Sequence, residues 1–113
     1  GNDRKARHAF HTEYTTKTSK HGIKNSFTEQ VEVNKWHIYA IEWTPEYIHW
    51  SVDGKITGRH HKPKTGNVQN EWTFDVPFYL LLNQSIMHGV YGIKADLDKT
   101  YETQFDWIKV YQK

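Results

Sequence analysis

Acidic residues are the side chains of this sequence that could donate a proton or attack a carbon atom, and such chemistry needs two carboxyls on one face. Glu29 and Glu32 are the most closely spaced glutamates, but a separation of three residues places them on opposite faces of a strand. Asp96 and Asp98 have the spacing of a shared face, yet they lie in a loop-like segment without a glutamate. The sequence therefore predicts no catalytic carboxylate pair within this chain.

Histidine and basic residues are the second group that could bind a ligand. His60 and His61 are adjacent, so on a strand they would point to opposite faces and could not share a zinc ion. With Arg59, Lys62 and Lys64 they form the one local basic group, for which a solvated loop is favoured over a polyanion site. A net charge of +2, with 15 Lys and Arg spread along the chain, does not indicate a nucleic-acid-binding protein.

Residues 36–54 are predicted to form a β-hairpin. Thr44-Pro45-Glu46 turns the chain, and Asp53-Gly54 suits a two-residue turn with positive φ angles. A third strand is expected from Lys55 to about His60. The large apolar residues alternate along both hairpin strands and so share one face of each strand: Tyr39, Ile41, Trp43, Ile48, Trp50 and Val52.

The remaining elements also indicate strands. Phe27 to Val33 alternates, and Phe78 to Leu82 is apolar at every position, which predicts a strand buried on both faces. Gly22 to Asn25 and Lys62 to Asn70 are predicted loops, and no segment has a helical period. These elements together predict an antiparallel all-β half-sandwich of the jelly-roll type.

Four segments, in order and covering nearly the whole chain, resemble the family 16 glycoside hydrolases, the β-glucanases and laminarinases. The hairpin has the family's W-T-P turn and its Y-I-x-W-x-V-D-G strand. The other three segments are His11–Thr15 (HTEYT), Phe74–Gln84 (FDVPFYLLLNQ) and Phe105–Tyr111 (FDWIKVY), which resemble the strand after the catalytic strand, the penultimate core strand and the terminal strand.

The resemblance implies an antiparallel β-sandwich of the concanavalin A-like jelly-roll class. Since the family's domain is much longer, residues 1–113 are expected to be a single partial domain, the C-terminal half that follows the catalytic strand. The family places its nucleophile and general acid on one E-x-D-x-x-E or E-x-D-x-E strand, because retaining hydrolysis needs two carboxyls about 5 Å apart. No such strand occurs in this sequence. The chain alone is therefore expected to be inactive.

Two groups of residues are implied to contact sugar in the substrate cleft. His11, Glu13 and Thr15 alternate toward the cleft, although a surface histidine is the alternative for His11. Asn83, Gln84 and Ser85 follow an apolar strand, where a change to polar residues also marks a strand leaving the interior. In related enzymes a Trp or Gln holds a sugar at the position of Ser85.

The resemblance also concerns metal ions and tryptophans. Asp106 corresponds to an aspartate of the family's structural calcium site, although calcium takes 6–8 oxygen ligands and one carboxylate is a weak site. No other cofactor is expected. Trp43, Trp50 and Trp107 are predicted to lie in the core, and the less constrained tryptophans, available for stacking on sugars, are Trp36 and Trp72.

Two functions remain open from the sequence. In the first, the chain is part of a retaining endo-β-1,3- or β-1,3/1,4-glucanase whose carboxylates lie on a missing N-terminal half. In the second, it is a non-catalytic carbohydrate-binding jelly roll. Open sheet edges are expected to be covered by the missing half, a second chain or another copy. The resemblance implies an extracellular or periplasmic location, and the absence of cysteine excludes a disulfide framework. No membrane partner is expected.

Overall fold

The computed structural model describes residues 5–12, 25–66, 68–86, 88, 89, 92 and 94–112. These residues belong to two compact units, one within Asn2–Phe78 and the other within Tyr79–Lys113. Five strands and a short helix are assigned, all in the first unit: β1 Lys5–Ala9, β2 Ser26–Gln30, β3 Tyr39–Trp43, β4 Tyr47–Val52, β5 Lys55–His61 and α1 Val68–Glu71.

The strands form two antiparallel sheets, so the predicted all-β fold is confirmed, as a fragment of a jelly-roll β-sandwich. β1 pairs with β2 in one sheet, and the order β3-β4-β5 makes the other. No helix in the described residues is long or apolar enough to cross a membrane. The helix α1 lies partly within the segment predicted as a loop, and it ends where Trp72 N donates to Val68 O at 2.8 Å.

The hairpin prediction is confirmed strand by strand. Thr44 Oγ1 accepts hydrogen bonds from the backbone N–H groups of Glu46 and Tyr47 at 3.1 and 3.0 Å, which fixes the first turn. Asp53 and Gly54 have φ angles of 51° and 83° and close the second turn. Their order suits a tight hairpin turn, since Asp tolerates positive φ and Gly adopts it without steric cost.

The two sheets pack against each other through a glycine. A β-bulge between Trp50 and Ser51 shifts the register of β4 and β5, and Trp50 is then paired with Gly58. A Cβ placed on Gly58 would lie only 2.5 Å from the Phe27 ring of β2. Glycine is therefore required for this close approach between β5 and β2.

The core lies between these sheets and is mostly aromatic. Phe10, Ile48, Trp50 and Trp72 are its buried residues. They come from the end of β1, from alternate positions of β4 and from the residue after α1. One histidine joins them: His60 is 8% exposed and its ring stacks on Phe10 at 3.9 Å. Alternation along β4 thus places its apolar residues inward, as predicted.

Three strand predictions need correction. Phe78 to Leu82 was predicted to be a doubly buried strand, but no strand is assigned there and its five side chains are 48% to 84% exposed. The predicted terminal strand Phe105–Tyr111 likewise has no strand assignment. β2 ends at Gln30 rather than at Val33. A strand needs backbone partners, and the described residues provide none for the first two segments.

The burial of the tryptophan side chains differs from the prediction. Trp50 lies in the core as expected, but Trp72, predicted to be less constrained, is only 3% exposed. Trp43 and Trp107, predicted to be core residues, are 45% and 52% exposed. Trp36, at 65% exposure, is the free side chain that was expected. Trp72 is buried because α1 turns the chain back onto the sheet, which its polar neighbours did not indicate.

Candidate functional site

His11 and Thr12 are the described members of the first predicted cleft segment. They follow Phe10, whose backbone is held to Asn25 by hydrogen bonds of 3.1 and 3.2 Å. Thr12 is 4% exposed, whereas the His11 side chain is exposed. Glu13 and Thr15 lie outside the described residues. The role of His11 in binding sugar stays a prediction.

Asn83, Gln84 and Ser85 are the second predicted cleft group, and they belong to the second unit. All three side chains are exposed. The strand whose end they were predicted to occupy is not formed. Their exposure leaves their amide and hydroxyl groups available to a ligand, while their assignment to a cleft stays a prediction.

The carboxylates considered in the sequence are engaged in structural contacts. Glu29 Oε1 accepts a hydrogen bond from Lys55 Nζ at 2.9 Å, and Glu32 is ion-paired with Lys35. Asp96 Oδ1 accepts from the backbone N–H of Asp98 at 3.1 Å, which makes these two residues part of a turn. The absence of a catalytic carboxylate pair from this chain stays a prediction.

A histidine that the sequence reasoning missed lies beside a shallow groove. His37 Nδ1 donates to Asp53 Oδ2 and its Nε2 donates to Glu32 O, both at 2.7 Å. Since both partners can only accept, the doubly protonated ring is the form that satisfies both contacts. The hydrogen bond to Asp53 is the main cause of the raised pKa of His37, and the same bond lowers the pKa of Asp53.

This groove has a volume of about 340 Å³ and joins the end of β2 to the second hairpin turn. Asp53 also accepts from Ile38 N at 2.8 Å, so its two oxygens hold the start of β3. The acidic side chains that line the groove are each paired with a basic side chain, as Glu29–Lys55, Glu32–Lys35 and His37–Asp53. These contacts stabilise the local structure and leave none of these carboxylates unpaired to act as a base. The predicted hairpin pairing could have revealed this contact, because it brings His37 beside Asp53. The residues that line the groove are Glu29, Gln30, Val31, Glu32, His37, Val52, Asp53 and Lys55.

Asp106 does not form a cation site with the other described residues. Its side chain is exposed, and the described part of the chain has no group of three His, Asp or Glu residues that could hold a metal ion. Calcium takes six to eight oxygens, so these residues do not fit the ion by themselves.

Comparison with known proteins supports one family. The sequence model of glycosyl hydrolases family 16 matches residues 1–109. The chain is 34% identical over 83 residues to a β-glucanase of Rhodothermus marinus, an alignment covering 68% of this chain and 29% of that protein. No solved structure matches the chain significantly.

Two further relatives have different names. A keratan-sulfate endo-1,4-β-galactosidase of Sphingobacterium multivorum is 32% identical over 77 residues, covering 68% of this chain and 18% of the relative. Glucan endo-1,3-β-glucosidase A1 of Niallia circulans is 28% identical over 92 residues, covering 74% and 13%. The chain spans less than a third of the length of each of these three relatives.

Proposed function

The chain belongs to glycosyl hydrolase family 16, and on that premise we propose that it is the C-terminal part of a retaining endo-β-glycanase. It supplies part of the substrate cleft, and the nucleophile and general acid lie on an N-terminal segment. The observation that carries this proposal is the family match over residues 1–109 in a chain whose sequence has no E-x-D-x-x-E or E-x-D-x-E strand.

The contacts of the acidic residues support the proposal that the catalytic carboxyls lie on the N-terminal segment. Retaining hydrolysis needs two carboxyls about 5 Å apart, one ionised to attack and one protonated to donate. Glu29 is ion-paired with Lys55 and Glu32 with Lys35, so each of these carboxyls is engaged in a structural contact.

The proposed substrate is a β-glucan, since two of the relatives are named as glucanases. A β-linked galactan is the second candidate, because the keratan-sulfate galactosidase is almost as similar in sequence as the β-glucanase. The proposed sugar contacts come from polar side chains that hydrogen-bond hydroxyl groups: His11, Glu13, Thr15, Asn83, Gln84 and Ser85.

Location and partners follow from this substrate. A β-glucan polymer is too large to enter a cell, so we place the whole protein outside the cytoplasm, in the periplasm or the medium. The N-terminal segment is the proposed partner for the open edges of the sheets. Structural calcium at Asp106 is proposed only with further oxygen ligands from that segment.

A substrate panel tests the proposal on the full-length gene product. Laminarin, mixed-linkage glucan and keratan sulfate are incubated with the protein, and new reducing ends are measured. We expect cleavage of a glucan, with loss of activity when either outer glutamate of an upstream E-x-D-x-x-E strand is changed to glutamine. Preferred cleavage of keratan sulfate would replace the glucan assignment with the galactan one.

The alternative is a carbohydrate-binding module without catalysis. It requires that the upstream sequence lack the acidic strand or that the intact protein bind a polysaccharide without cleaving it. Reading the upstream gene sequence separates the two functions directly. An upstream strand without glutamates, together with binding and no product, would support the module and contradict the hydrolase.

A further inference from the structure

The outward face of the three-stranded sheet carries a compact group of ring and charged side chains. On β4, His49 is paired with Glu42 of β3 and with Arg59 of β5, while Tyr47 is paired with His61. Directly paired residues point to the same side of a sheet, with Cβ atoms about 5 Å apart. We call these five residues the outer-face cluster; the β4 residues between them point into the core.

The rings of the outer-face cluster are in contact. Tyr47 stacks on His49 with centroids 4.1 Å apart and planes 24° apart. The His61 ring lies 5.7 Å from Tyr47 and 5.5 Å from His49. The guanidinium of Arg59 emerges beside His49 by strand pairing. Three side chains that can carry positive charge thus converge around one tyrosine.

Arg59 has no ion-pair partner in this cluster. Glu42 is its one acidic member, and its carboxylate already accepts a hydrogen bond from Tyr47 Oη at 2.6 Å. None of the ion pairs in the described residues includes Arg59. Burial is the main cause of the lowered pKa of His49, and the positive charges of Arg59 and His61 lower it further. Protonation of His49 therefore gives the cluster a net positive charge.

A metal ion does not suit the cluster. The guanidinium of Arg59 repels a cation, and Glu42 is hydrogen-bonded on the opposite side of His49. The described residues also contain no set of three His, Asp or Glu that could hold a metal. An anion fits better, because arginine presents paired N–H donors that match the oxygens of a sulfate or carboxylate group.

We propose that the outer-face cluster binds an anionic group, a sulfate ester or a carboxylate, through Arg59 and His61, with His49 adding charge when it is protonated. The group is borne by an acidic polysaccharide or is a free oxyanion of the same chemistry. Such binding does not depend on the proposed hydrolase activity. The proposal assigns a ligand to the basic group around Arg59. The sequence alone favours a solvated loop for that group.

The same geometry gives a pH dependence. The lowered pKa of His49 places its second proton below the ordinary histidine pKa of about 6.5, so the cluster becomes more positive as the pH falls below that value. Glu42 from β3, Tyr47 from β4 and Arg59 and His61 from β5 are the titratable and charged groups that face His49. Since Glu42 is the only acid among them, binding of an anion is expected to strengthen toward acidic pH.

Matched arginine variants test the proposal in the full-length protein. Binding of fluorescent dextran sulfate is measured at constant ionic strength at about pH 7.5 and pH 5.5, with unsulfated dextran as the neutral probe. Arg59→Gln is expected to weaken binding about fivefold. Arg7→Gln removes the same charge from an exposed position of β1 and is expected to leave affinity within about twofold. Near-ultraviolet circular dichroism checks that both variants are folded.

The outcomes separate the sources of the anion. Competition by millimolar sodium sulfate would support a site for a free oxyanion, and binding that persists under this competition would support the polymer-borne group. The variant His49→Gln is expected to lose the strengthening at acidic pH. Equal losses in Arg59→Gln and Arg7→Gln, equal binding of both dextrans, or an unchanged pH dependence in His49→Gln would overturn the proposal.

Discussion

His60 is predicted to make the stability of the first unit sensitive to acid. Its imidazole contacts the rings of Phe10 and Trp72, with centroid separations of 3.9 and 5.5 Å, and the Phe74 ring lies nearly perpendicular to it with its centroid 6.1 Å away. Within the described part of the chain its one polar partner is the carbonyl of Glu71, 3.4 Å from Nε2, a long and weak hydrogen bond. The ring therefore packs as an aromatic residue joining the segment after β1 to the segment after α1.

The direction of the pH effect follows from the lowered pKa of His60. Burial is its largest cause, the charge of His61 adds to it, and the carbonyl and charge of Glu71 act in the opposite direction. Because the unfolded chain takes up the proton first, the free energy of unfolding falls as the pH drops below about 6.5. The loss continues until the folded pKa is reached, with a slope of at most about 1.4 kcal/mol per pH unit.

Two substitutions separate packing from titration. His60→Ala removes the buried ring and is expected to cost about 2–5 kcal/mol at neutral pH, in the range of other large-to-small core changes. His60→Phe keeps an aromatic ring of similar volume and removes the proton site. We expect it to change stability at pH 7.5 by less than about 1.5 kcal/mol and to reduce the acid sensitivity.

The assay is urea unfolding followed by tryptophan fluorescence between about pH 5 and pH 8. His61→Gln is the matched control, since this neighbour is exposed on the other face and should leave most of the pH dependence in place. His8 and His49 also have lowered pKa values, so only the difference between variants is diagnostic. An unchanged slope in His60→Phe, or a fully stable His60→Ala, would refute the reasoning.

Three further predictions concern the packing and the hairpin, and all are tested by urea unfolding. Gly58→Ala should cost about 1–3 kcal/mol because its methyl group meets Phe27, and a simultaneous Phe27→Leu change should recover part of this loss; additive costs would contradict the contact. Trp72→Ala should cost about 3–5 kcal/mol and Trp36→Ala less than about 0.5 kcal/mol, and equal effects would contradict their different burial. His37→Gln should destabilise the protein at acidic pH, with a difference that shrinks as the pH rises through the raised pKa of His37; a pH-independent difference would contradict its charged state.

The hairpin could be predicted from the sequence because its determinants are local. Alternation over Tyr47–Val52 defines the buried face of β4, whereas all five residues of β3 are exposed, and Asp53-Gly54 defines the turn. The same rules failed for Phe78–Leu82 and Phe105–Tyr111. Their composition favours strands, but a strand exists only where another strand pairs with it. Sequence pattern indicates the preference of a segment without showing that its partner is present.

Long-range contacts account for the features that were missed. β1 has the polar sequence KARHA and forms because β2 pairs with it over all five residues. Trp72 is buried by the return of the chain after α1, and His37 contacts a turn residue 16 positions away. The family resemblance predicted the identity of the fold correctly, whereas the cleft roles of His11 and Asn83 still depend on it.

Reconstitution tests the central claim, that this chain supplies cleft and framework while the acids lie upstream. The 113-residue chain and the upstream polypeptide are purified separately and mixed, and release of reducing ends from laminarin and mixed-linkage glucan is measured for each alone and for the mixture. The proposed division predicts no hydrolysis by this chain, hydrolysis by the mixture, and loss of that activity when an upstream catalytic glutamate is replaced by glutamine. Hydrolysis by this chain alone at the rate of the mixture would contradict it.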